Sequence, residues 1–82
     1  MDDKQHHVPK KFPEKSQAIA RLMEEDPEFV AMSEDYDACI NALRYWEQSK
    51  EPEAESRVRE YRALVQELEE EIRVTLEAQP LD

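Results

Sequence analysis

Bulky apolar residues stand at Phe29, Met32, Tyr36, Cys39, Leu43 and Trp46, spaced alternately by three and four. This is a heptad seam, with Phe29, Tyr36 and Leu43 at a and Met32, Cys39 and Trp46 at d. Residues so spaced line one stripe of an α-helix, and a narrow apolar stripe needs a partner. The chain supplies one. Val58, Tyr61, Val65, Leu68, Ile72 and Thr75 repeat the same alternation further on. The pattern predicts an all-α fold, a short N-terminal helix followed by an antiparallel coiled-coil-like helical hairpin.

Proline and acidic residues place the predicted boundaries. Pro13 and Glu14 suit the first turn of a helix over about 13–25. Its apolar face is Ile19, Leu22 and Met23, with Phe12 seven residues before Ile19. A face so small cannot hold a helix by itself and must dock. Asp26 suits an N-cap and Pro27 the first helical position, predicting a second helix over 27–49. Pro27 also pushes Asp26 out of the α region, which favours a break there. Pro52 then opens a third helix over 52–78, with Glu53 and Glu55 in its first turn. Residues 12–79 form one helical domain on this reading. The polar, aperiodic residues 1–11 are expected to be a disordered tail, and 80–82 a short one.

With a turn near residues 50–51, facing positions on the two long helices should sum to about 101 if both rise equally. Phe29 then faces Ile72, Tyr36 faces Val65 and Leu43 faces Val58, while Met32 meets Leu68 and Cys39 meets Tyr61. Trp46 falls near Ala54. The apolar stripe is wider than two helices can cover, because Ile40 and Leu76 occupy e positions, Leu64 a g position, and Ala42 broadens the seam. Ile19, Leu22, Met23, Ile40, Leu64 and Leu76 are therefore the candidate oligomer or partner face. Leu22 and Met23 are placed to fold over Leu76 and Ile72, within one chain or onto a neighbour. A second copy closing the remaining stripe would give a homodimeric helical bundle, the support that small domains generally need.

Composition narrows the function classes. The 82 residues include no glycine, which phosphate-cradling loops and tight turns use for its freedom at positive φ. Net charge is −10, and it is uneven. The first 23 residues hold five of the eleven Lys/Arg and only three of the twenty-one Asp/Glu. The acidic body should repel nucleic acid and anionic lipid, so neither is expected as a partner. A basic N-terminal arm (Lys4, Lys10, Lys11, Lys15) is the one segment suited to a polyanion. No apolar run approaches a membrane span and no signal-peptide core follows Met1. One cysteine cannot form an internal disulfide, in keeping with a cytoplasmic setting.

Several residues resemble those of the YdcH-like family, small bacterial helical proteins classed as a domain of unknown function. Phe12-Pro13-Glu14 matches the family's F-P-E start. Asp26-Pro27-Glu28-Phe29 is similar to its N-P-x-F or H-P-x-F junction. Leu43 and Glu47 fall at its I-x-x-x-E, and Leu68-Glu69-Glu70-Glu71-Ile72 resembles its closing L-K-D-E-I. The likeness covers about residues 12–76. It departs where the family's L-D pair becomes Cys39-Ile40, and where a lysine-rich run becomes Arg62-Ala63-Leu64-Val65-Gln66. The resemblance implies the hairpin and supplies no activity.

The chemistry-bearing residues read as structural. Cys39 sits in the seam with no histidine, lysine or helix N-terminus to lower its pKa, so burial and low reactivity are expected. Glu67 and Glu69-Glu70-Glu71 point about 100° apart in turn and cannot converge on one ion. Glu24-Glu25 and Asp35-Asp37 lie on polar faces without a pocket. His6-His7 has no further ligand at metal spacing. Tyr36, Tyr61 and Trp46 lack the interleaved basic residues of a base-stacking platform. No catalytic residue, metal, cofactor or small-molecule substrate is expected. The reading is a non-enzymatic helical adaptor that binds another protein, or alternatively a self-associating structural or regulatory oligomer.

Overall fold

Asp26 closes one helix and opens the next. Its backbone is extended (φ −123°, ψ 99°), and its N–H donates to the Leu22 carbonyl at 2.9 Å. Its carboxylate accepts from the N–H groups of Glu28 (3.0 Å) and Phe29 (3.3 Å), satisfying donors left free at the new helix start. The computed structural model describes residues 7–79 and places this junction between α2 (Ser16–Glu25) and α3 (Pro27–Gln48). Before them come α1 (His7–Lys11) and a 3-10 helix at Pro13–Lys15; after them comes α4 (Ala54–Glu77). No strand occurs among the described residues, and the fold is all-α.

Three helix starts differ from the sequence expectation. His7–Lys11 is helical where a disordered tail was expected, while residues 1–6 and 80–82 of the expected tails lie outside the described residues. Pro9 fits a first turn, where its missing N–H costs nothing, and Phe12 N–H closes the helix on the Val8 carbonyl at 3.0 Å. Val8 is fully buried and Phe12 nearly so. An apolar pair at i and i+4, too short to hold a helix alone, is ordered here by docking.

The second difference is at Pro52, expected to open the third helix. It sits instead at the second position of a turn in which Ala54 N–H donates to the Glu51 carbonyl at 3.0 Å. Glu53, at φ −86° and ψ 1°, has the third-position geometry of a type I turn, which favours proline before it. Helix α4 therefore starts at Ala54. The first predicted helix is likewise split, a 3-10 turn at Pro13–Lys15 preceding α2.

Helices α3 and α4 pack against each other, and residues rising along α3 meet residues falling along α4. Glu47 contacts Arg62 at 3.4 Å, Trp46 lies under Arg57 at 6.0 Å, and Tyr36 reaches Glu69 at 2.7 Å. The tip of Tyr36 thus meets a residue one turn beyond Val65, the position that the sequence register pairs with it. Helical side chains lean toward their own N-terminus, so tips on two oppositely directed helices meet about a turn off the backbone level.

The core gathers at one end of this pair. Val8, Phe12, Ile19 and Leu22 cover Phe29, Tyr36, Val65, Ile72 and Leu76 in a single cluster. Each large apolar side chain so buried contributes about 1.5–3 kcal/mol. Nearer the 49–53 turn only Ala54 is buried; Leu43, Trp46, Val58 and Tyr61 are half-exposed. The seam is closed only where a third layer of helix lies over it.

Candidate functional site

The helix spacing sorts α3 and α4 into two flanks. On the first, Asp37 and Glu69 face the N-terminal helices. His7 N–H donates to Asp37 Oδ1 at 2.9 Å, and Lys11 Nζ stands 3.8 Å from Glu69 Oε2. Tyr36 donates its phenolic proton to the same Glu69 oxygen. Burial, followed by that hydrogen bond to a carboxylate, pushes the Tyr36 phenol pKa well above its ordinary value. The phenol stays protonated and serves as a fixed donor.

Helices α1 and α2 leave an apolar cavity of about 210 Å³ against α3, lined by Pro9, Ser16, Ile19, Ala20, Met23 and Ser33. That is below the 300–1,000 Å³ usual for small-molecule sites, and it lacks convergent charged groups. Among the described residues no buried side-chain nitrogen or oxygen is left without a partner, and no group of three or more His, Cys, Asp or Glu is placed to hold a metal ion.

The second flank is open. Asp35, Ala38 and Cys39 on α3, with Leu64, Glu67, Leu68 and Glu71 on α4, line a groove of about 330 Å³. Residues 64, 67, 68 and 71 share one edge of α4 by their spacing, and 35, 38 and 39 share one edge of α3. Leu64 is 43% exposed. Cys39 and Leu68 are half-buried on the floor, and the three carboxylates stand exposed on the rim. Burial, and secondarily the Asp35 charge, raise the Cys39 thiol pKa, which keeps thiolate scarce at neutral pH. Asp35, Glu67 and Glu71 form no ion pair among the described residues, whereas Glu47, Glu60, Glu69, Glu70 and Glu77 each pair with a Lys or Arg.

Of the expected hairpin seam, Phe29, Tyr36, Val65 and Ile72 are buried. Met32, Cys39, Leu43, Trp46, Val58, Tyr61 and Leu68 are half-buried, so Cys39 is a groove-floor residue rather than a sealed core one. Trp46 packs edge-on against Tyr45 at 5.0 Å and lies under Arg57.

The expected partner face divides. Ile19, Leu22 and Leu76 are interior residues of this one chain and are not available to a partner. Met23 and Ile40 are partly buried against the same core, and Leu64 alone of the six is exposed. The acid-rimmed groove escapes a reading of the sequence as a unit because its two edges come from different helices. Its half on α4, apolar Leu64 and Leu68 flanked by Glu67 and Glu71, is readable there as one strip.

No helix among the described residues is long and apolar enough to cross a membrane. No family model, curated protein or solved structure matches the chain.

Proposed function

We propose that this chain is a non-enzymatic helical interaction module, an adaptor of the cytoplasm in which α3 and α4 form an antiparallel hairpin and its open flank binds another protein. The observation that carries this reading is the groove bearing Leu64, exposed beside half-buried Leu68 and Cys39 while the opposite flank is covered. An apolar strip on a rigid helix pair is the form of surface that takes a partner helix. The Phe12-Pro13-Glu14 start and the Asp26-Pro27 junction, through which the chain resembles the YdcH-like family, fall at helix starts, as such a module requires. The acidic body speaks against nucleic acid or an anionic membrane as the partner.

A second reading is self-association into a homodimeric bundle, favoured by the further exposure of Tyr45 and Val74. Affinity capture from native lysate with the wild-type chain and with Leu64→Gln separates the two. A stoichiometric partner lost with Leu64→Gln supports the adaptor. Recovery of the chain alone, with a dimer by light scattering, supports self-association. A partner kept equally by Leu64→Gln removes the function from this groove.

A further inference from the structure

The two flanks of the α3–α4 pair are chemically alike, and one of them is already occupied. On the covered side, α1 presents apolar Val8, with Phe12 just beyond its end, and both are buried. It also brings a lysine, Lys11, to a carboxylate of α4, Glu69. The chain thereby displays what an acidic helix pair of this composition accepts: a short helix whose apolar residues enter the core and whose lysine meets a carboxylate beside it.

The open side repeats the demand without the supply. Its floor is Cys39, Leu64 and Leu68; its rim is Asp35 on one helix and Glu67 and Glu71 on the other. These rim carboxylates have no cationic partner among the described residues. Resting on the reading of this groove as an interaction surface, we infer that its occupant is a basic amphipathic helix of another protein, with apolar residues along one face and Lys or Arg on both flanks.

The same charges argue against a second copy. Two copies meeting groove to groove would set Asp35, Glu67 and Glu71 against the like residues of the partner, on chains that each carry −10. Like charges brought together at an interface oppose association. A lysine-flanked helix instead converts each rim carboxylate into an ion pair around an apolar centre, the arrangement usual for interface cores and rims. An anionic or purely apolar helix gains nothing from that rim.

The test uses the full chain and a labelled synthetic peptide of about four helical turns, with leucines along one face and lysines on its flanks. Fluorescence anisotropy should show this peptide binding about tenfold or more tightly than its counterpart with Glu at every Lys. Added salt should weaken that binding, and Leu64→Gln should weaken it without any change in rim charge. The Glu67→Lys/Glu71→Lys chain should reverse the preference toward the Glu peptide. Equal binding of both peptides, abolished by Leu64→Gln, would overturn the basic partner while leaving the groove as an interaction surface. Equal binding of a scrambled lysine peptide that cannot form an apolar face would reduce the effect to net charge and overturn the inference. Failure of either peptide to bind a chain that light scattering shows to be dimeric would overturn both the inference and the adaptor reading.

Discussion

Tyr36 and Glu69 join α3 to α4 through one hydrogen bond of 2.7 Å, and the carboxylate that accepts it also faces Lys11 of α1. Three helices thus meet at one side chain. Tyr36 is almost fully buried, so its hydroxyl would be costly to leave unpaired. The half-exposed Glu69 keeps solvent on its other side, which makes the arrangement an anchor at the edge of the core rather than a buried ion pair.

Tyr36→Phe should lower stability by about 1.5 kcal/mol, near the low end for a bond to a charged group because Glu69 can rehydrate. The pH dependence carries the sign of a raised acid pKa. The folded phenol holds its proton more tightly than the unfolded one, so the contribution is fully present below the ordinary phenol value of 10.0 and is lost as pH rises through and beyond it. Urea midpoints measured upward from pH 9 should fall, and Tyr36→Phe should flatten part of that fall.

Val8→Ala should destabilise the chain by about 2 kcal/mol, through lost burial and the cavity left behind. A residue in a disordered tail would give nothing. Urea unfolding followed by circular dichroism at 222 nm reads the difference, and an effect below about 0.5 kcal/mol would remove α1 from the core.

Ile72→Ala should cost about 2–5 kcal/mol, enough to threaten so small a domain. Ile72 is fully buried in the core shared with the N-terminal helices, whereas Leu43 is only half-buried against it. Leu43→Ala should therefore cost distinctly less than Ile72→Ala in the same urea titration. Equal costs would show the seam to be evenly sealed.

Cys39 should react slowly with a thiol-directed dye at neutral pH and quickly in denaturant. Removing the Asp35 charge with Asp35→Asn should lower the thiol pKa and speed native labelling, while the burial contribution stays. Labelling that does not respond to Asp35→Asn would separate the thiol from that rim carboxylate.

Much of this protein is local in origin, and that part is legible in the order of its residues. Phe29, Tyr36, Val65 and Ile72 fall at seam positions because helical periodicity alone puts them on one stripe. Asp26-Pro27 marks a helix junction because capping and the proline ring act within a few residues. What only the tertiary structure decided depends on neighbours far along the chain. Val8 and Phe12 form too short a pattern to fold by themselves, and their helix exists through contact with α2 and α3. Ile19, Leu22 and Leu76 have the look of an unpartnered face until α2 lies across the end of the α3–α4 pair. Pro52 suits a helix start or a turn equally well, and the closing hydrogen bond from Ala54 to Glu51 selects the turn. The acid-rimmed groove is assembled from residues of two helices that stand more than twenty positions apart in the chain. Its edges are written in the sequence, but their meeting is set by packing, because burial on one flank determines which residues remain for the other.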